Sequence, residues 1–162
     1  MTSALRSTVR RGFTHIELVV VTAIIGSLSA VAAPRMVEAG SQARVAVLQQ
    51  IAGSLETAAH MAHAQCLVSA RCAQEGEGEP IIGPDGQSGT LVNGYPGSPA
   101  RGVGHLPISS WVTLRGVTEI SSTPGTTVFA IEGAAGAGGC HVEYTEAAPG
   151  DAPTVRIVSA GC

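Results

Sequence analysis

The chain has no lysine. All nine of its basic residues are arginines, set against twelve acids for a net charge of −3. It offers no basic field to hold a phosphate backbone, which excludes a generic nucleic-acid binder. Charged residues make up only 13 % of the 162, about half the usual ~25 %. That shortage excludes an acidic disordered tail and a coiled coil, both of which are built from charge. Aromatics are equally scarce, with one Trp, two Tyr and two Phe. Lysine's absence also rules out a P-loop. The glycine-rich stretch Gly133–Gly139 lacks the G-x-G-x-x-G spacing and reads as a turn between strands. No nucleophile elbow accompanies His105 or His141, so no catalytic constellation emerges and the chain is not expected to be an enzyme. No repeat with a period of 20–50 residues is visible.

What the chain has in excess is apolar residues, 44 % of the total, and they are concentrated. Residues 18–33 read LVVVTAIIGSLSAVAA without a charge, behind a flank that carries Arg6, Arg10 and Arg11 and no acid. A basic flank before an apolar run is the layout of a segment inserted with its N-terminus in the cytoplasm. Counted from Phe13 to Ala33 the run would span about 31 Å as a helix, enough for a hydrocarbon core of ~30 Å. That count takes in Glu17, an ionisable group that is costly in lipid unless it snorkels or finds a partner.

Three export routes compete for this segment. An ordinary secretory signal would use Ala30-Val31-Ala32 as its cleavage site and release a periplasmic binding domain beginning at Ala33. Arg10-Arg11-Gly12-Phe13 has the outline of a twin-arginine signal. The stretch RRGFTHIELVVV, in Gly12, Phe13, Thr14, Ile16, Glu17, Leu18 and the valines behind them, resembles the processing site of type IV prepilins and pseudopilins. His15 departs from that pattern, which usually has an apolar residue there. The resemblance implies that a prepilin peptidase removes residues 1–12 as a basic leader, cutting between Gly12 and Phe13, and N-methylates the new Phe13 amine. It also implies that Glu17 pairs with this amine on a neighbouring subunit, which would set the register of assembly.

Past Pro34 the pattern becomes amphipathic: Leu48, Ile51, Leu55, Ala58 and Ala62 follow helical steps. A long helix is expected over residues 13–64, apolar all round over 13–33 and one-sided over 35–64. Gly26 and Pro34 are its weak points, where a kink or local opening is expected. In pilin-like filaments the stretch between a comparable Gly and Pro loses helicity on assembly. Residues 65–162 are expected to form a globular domain. A Gly- and Pro-rich loop covers residues 74–101, with a short strand at Thr90–Val92. Further strands are expected at Trp111–Leu114, Thr126–Ile131, His141–Tyr144 and Thr154–Val158, with turns at Pro124-Gly125 and Pro149–Pro153. The fold class is α+β: a long N-terminal helix packed on a small antiparallel sheet.

Four cysteines, Cys66, Cys72, Cys140 and Cys162, form an even set in an exported chain. The last two strands make a hairpin in which paired residue numbers sum to about 300–302, which makes Cys140–Cys162 the natural bridge. Cys66–Cys72 then closes a small ring. Six helical residues rise about 9 Å, beyond the ~7 Å reach of a disulfide, so the helix must end or bend near Cys66. The competing reading is a Zn²⁺ site at His60, His63, Cys66 and Cys72. Glu75, Glu77 and Glu79, alternating with glycine, and the turn at Asp85-Gly86 leave Ca²⁺ as a second metal option; the expectation is that neither metal is bound and that no cofactor is needed.

The helix ARVAVLQQIAGSLETAAHMAHA, the LVNGYP stretch and the C-terminal CHVEYTEAAPGDAPTVRIVSAGC together resemble the mannose-sensitive haemagglutinin class of type IV pilins. That class shares the helix, a Gly-Tyr-Pro motif and a C-terminal hairpin closed by two cysteines. The resemblance implies a filament subunit, with a type II secretion pseudopilin or a minor pilin as alternatives. Its partners would be copies of itself, other pilins, the peptidase and an inner-membrane assembly platform. The precursor would sit in the inner membrane with its C-terminus in the periplasm, and the product in an extracellular pilus or periplasmic pseudopilus.

Overall fold

The computed structural model describes residues 12–162 except 71, 74 and 133–137. The leader, with Arg6, Arg10 and Arg11, lies outside the described residues apart from Gly12, as does most of the glycine-rich turn at 133–139. The chain divides into two units, one ending at Gly40 and one running Ser41–Cys162.

Helix α1 runs His15–Val68. It starts two residues later than expected because Thr14 caps it: the Glu17 N–H donates to Thr14 Oγ1 at 3.3 Å. It ends four residues later than expected. The helix is unbroken through Gly26 and Pro34, so neither opens it in the single chain. Proline forfeits one backbone bond, and the alanine- and valine-rich residues around it carry the helix across.

In the second unit one stripe of α1 is buried: Leu48, Ile51, Ala52, Leu55, Ala58, Ala59, Ala62 and Cys66. The five expected core positions are all in it. The alanines keep the stripe shallow, so the domain's larger side chains close over it. Strands β1 (Ile81–Ile82) and β2 (Ser88–Gly89) form a two-stranded ribbon. Strands β3 (Val117–Thr123), β4 (Thr126–Ile131), β5 (His141–Thr145) and β6 (Thr154–Val158) form an antiparallel meander in that order. Phe129 on β4, with Val142 and Tyr144 on β5, is buried in one cluster with the helix stripe, with Leu91 from the long loop and with Leu106, Ile108 and Trp111 from the segment after it. The helix-on-sheet α+β layout expected from the sequence is therefore present.

Three strand expectations need correction. Trp111–Leu114 is not a strand: Trp111 closes a 3₁₀ turn at Ile108–Ser110, and its apolar residues serve the core from a loop. Thr90–Val92 makes isolated bridges rather than a strand, Thr90 with His105 and Val92 with both Glu77 and Tyr95. The first sheet strand, β3, was not expected, although Val117, Thr118, Ile120 and Thr123 carry its β-branched signal and Pro124-Gly125 its turn. A bulge between Glu119 and Ser121 breaks its alternation, which hides it from a period-two search.

The final hairpin pairs His141 with Val158 and Thr145 with Thr154, sums of 299 rather than 300–302. The offset is taken up beyond β6, where Gly161 N–H bonds Gly139 O at 3.0 Å. A Cβ on Gly161 would stand 2.5 Å from Gly138 O, so only glycine permits this approach. It brings Cys140 and Cys162 to a Cα separation of 4.9 Å, and they are disulfide-bonded. Cys66 and Cys72, also 4.9 Å apart, form the second disulfide.

The long loop is organised around Asn93-Gly94. Both residues have positive φ, 51° and 82°, as a type I′ turn requires. Val92 and Tyr95 exchange both backbone bonds across it, at 2.8 and 2.9 Å. Asn93 is buried, with its Oδ1 accepting from Gly76 N–H and its Nδ2 donating to Ala147 O at 2.7 Å. The buried Tyr144 hydroxyl donates to Pro96 O at 2.7 Å.

Leu55 is fully buried at the middle of the helix stripe. Leu55→Ala should lower the unfolding free energy by about 2–5 kcal/mol, read as a drop in denaturant midpoint for the oxidised full chain in micelles.

Candidate functional site

The first unit carries the sequence features singled out for assembly. Every residue from Gly12 to Ala33 is exposed. Phe13 is 82 % exposed, Ile16 74 % and Leu28 66 %. An apolar surface of this extent far exceeds the few hundred Å² a soluble monomer tolerates, and marks contact with a membrane or another protein. By length and composition α1 is apolar enough to cross a membrane, which is compatible with a single-pass anchor. Two of its hydroxyls bond back within the helix: Thr22 Oγ1 donates to Leu18 O and Val19 O at 3.0 Å, and Ser27 Oγ donates to Ile24 O at 2.8 Å.

Glu17 stands in the first turn of α1, three residues after the Thr14 cap. Thr14-x-x-Glu17 is the sequence form of a capping box, a local signal legible in the sequence. A carboxylate there also faces the positive end of the helix dipole. Glu17 thus has a reason to be tolerated at the start of an apolar helix. Gly12 and Phe13 precede the cap outside any regular element and are exposed.

The metal candidates are placed as follows. Cys66 and Cys72 are joined to each other, so neither presents a thiolate. His63 Nδ1 lies 2.9 Å from Gly94 O, which requires its proton on that nitrogen, and its ring stacks on Tyr95 at 4.3 Å and 5°. His60 meets the same tyrosine edge-on at 6.4 Å. Both histidines therefore fasten the helix to the Asn93-Gly94 turn. Glu77 lies 3.7 Å from His105 Nε2, while Thr90 holds His105 Nδ1 at 3.1 Å. Asp85 Oδ1 accepts from Gln87 N–H within its own turn. Among the described residues no group of three or more His, Cys, Asp or Glu side chains converges.

The strongest electrostatic contact missed in the sequence is Arg101–Glu146. Arg101 Nε donates to both carboxylate oxygens of Glu146 at 2.9 and 2.8 Å, and its terminal nitrogen approaches at 2.7 Å. Ser98 N–H donates to the same carboxylate. Forty-five residues separate the pair, so no local spacing could announce it. Burial pushes the Glu146 carboxyl up, but the Arg101 and Ser98 hydrogen bonds outweigh it and hold the group below the usual carboxylate range. A depressed carboxylate contributes stability above its unfolded pKa and loses it as pH falls through the folded value. Glu146→Gln should therefore melt below wild type at pH 7, and the gap should close as the pH is lowered through about 4 and beneath, read by thermal melts across a pH series. In comparisons with protein-family models, curated proteins and solved structures, nothing matches this chain.

Proposed function

We propose that the chain is a structural subunit of a type IV pilus or pilus-like filament. After cleavage between Gly12 and Phe13 and methylation of the Phe13 amine, copies assemble through their apolar N-terminal helices. The observation that supports this reading is the join between two features. A fully exposed apolar helical face begins at Ile16, and its one acid, Glu17, lies beside the Gly12–Phe13 junction.

In this reading the apolar face has two successive partners. The bilayer covers it first, and the helices of other copies cover it in the filament. Transfer from lipid to a helix bundle gains little from the hydrophobic effect, so helix packing and the matching of polar groups decide the assembly. The Phe13 amine, largely cationic near neutral pH, and Glu17 are the matching groups. Either alone in a low dielectric is costly, and the pair between neighbouring copies removes that cost. The globular domain forms the outer surface, and its two disulfides suit an oxidising compartment. The subunit performs no catalysis and needs no cofactor.

Intact mass and N-terminal sequencing of the native protein test the processing. A chain beginning at methylated Phe13 is expected; one beginning at Ala33 would make it a secreted periplasmic domain instead. Glu17→Ala should leave membrane insertion unchanged but cut the protein recovered in sheared filaments by more than about tenfold, because an unpaired buried charge costs several kcal/mol. Filaments at wild-type abundance from this variant would overturn the role of Glu17.

A further inference from the structure

The end of α1 is unusual for its sequence. The helix stops at Val68. Ser69 N–H still reaches Gln65 O at 3.0 Å, and Ala70 N–H tightens to Leu67 O at 3.1 Å. Ala70 then takes φ +55°. This is the left-handed position that usually ends a helix with glycine, because a Cβ there crowds the following carbonyl oxygen. Such a conformation persists where the surroundings over-determine it.

Local sequence does not call for a stop there. From Ser69 to Glu75 the chain has neither glycine nor proline, and includes Ala70, Arg71, Ala73, Gln74 and Glu75, all good helix formers. The first breaker is Gly76. What does oppose continuation is covalent. A helix carried on from Cys66 would place Cys72 about 9 Å away, and the disulfide holds the two Cα atoms at 4.9 Å. Downstream of the ring, Gly76 is bonded to Asn93 twice: its N–H donates to Asn93 Oδ1, and its carbonyl accepts from Asn93 N–H at 2.8 Å.

We propose that the Cys66–Cys72 disulfide is a thiol–disulfide switch that terminates α1. On reduction the helix extends past Ala70 toward Glu75 and withdraws Gly76 from Asn93. The reductant is a dithiol. Cys66 is 2 % exposed and Cys72 is half-buried, so the attacking thiolate meets Cys72 Sγ and Cys66 leaves. The second thiol of the reductant then displaces Cys72 and closes the reductant's own disulfide. Two electrons pass to the protein, and the two thiol protons of the reductant end on Cys66 and Cys72. The two states differ in which groups are satisfied. Oxidised, Asn93 holds Gly76 and Ala147 and Ala70 is left-handed. Reduced, Ala70 is helical and Asn93 has lost the Gly76 contacts that pin the long loop. The switch lies wholly in the second unit and stands or falls independently of filament assembly.

The test uses the full chain in detergent micelles with Cys140–Cys162 intact. In Cys66→Ala/Cys72→Ala, hydrogen exchange should slow by more than about tenfold at the amides of residues 72, 73 and 75, the effect of a stable helical bond, while the Asn93 amide loses protection. Unprotected amides at 72, 73 and 75 with Asn93 protected as in wild type would overturn the proposal. So would failure of this variant to fold, since the reduced state must keep its core. Separately, Ala70→Gly relieves the left-handed residue and weakens the extended helix. It should raise the dithiol concentration needed to reduce Cys66–Cys72 by at least about fivefold; an unchanged midpoint would show that Ala70 carries no cost and would equally overturn it.

Discussion

The amide of Asn93 ties together four separated parts of the globular domain. Its backbone makes the tight turn that returns the chain from Val92 to Tyr95. Its side chain accepts from Gly76 and donates to Ala147. The next residue, Gly94, receives His63 from the helix; a Cβ there would stand 3.0 Å from the imidazole. Helix, loop, ribbon approach and final hairpin turn are thus fastened at one place. A buried amide is expensive unless all its groups are bonded, so these segments must arrive together or not at all. That requirement adds to a core with only three aromatic side chains among the described residues, Trp111, Phe129 and Tyr144. Half of the buried side chains on the helix are alanine, and each alanine contributes little buried area.

Two covalent closures reinforce the same logic. Cys140–Cys162 secures the last strand, whose inner face thins toward Ile157, 37 % exposed, at the sheet edge. Arg156 and Glu143 secure its outer face, paired at 2.7 Å, with His141 alongside. Both contacts hold the Glu143 carboxyl below its ordinary range. Cys66–Cys72 secures the other end of the domain, where the helix must hand over to a loop. A domain with few large side chains gains most from restricting its unfolded chain, which is what such closures do.

Helix α1 carries two surfaces built to different rules. Before Gly40 every described side chain is exposed, and the apolar residues there circle the helix. After Ser41 one stripe is buried, and Arg44, Gln49, Gln50 and Glu56 keep to the exposed side. The reading of the chain as a filament subunit grows from this change of rule. Among the described residues this apolar surface is exposed, and in the proposed filament neighbouring copies cover it, with Glu17 as the polar group set against their Phe13 amines.

Much of this was open to a reader of the sequence because it is local and periodic. The apolar run, the steps from Leu48 to Ala62, and strands β4, β5 and β6 each announce themselves within a dozen residues. Cys140–Cys162 follows from the approximate register of the last hairpin, Cys66–Cys72 is the pair that remains, and the rise of a helix requires α1 to end near Cys66. The capping box at Thr14 and Glu17 and the Asn-Gly turn were equally local signals. Other features depended on residues far apart. The sequence of Trp111–Leu114 suits a strand, but the core needed Trp111 from a loop. The bulge at Ile120 concealed β3. Arg101 and Glu146, and Asn93 with Gly76 and Ala147, meet only because the tertiary fold brings them together. Composition and periodicity determine which surfaces must be hidden, since burial energy is a property of each residue. Which buried polar groups satisfy one another was decided only by the tertiary structure, since a hydrogen bond is a property of the meeting.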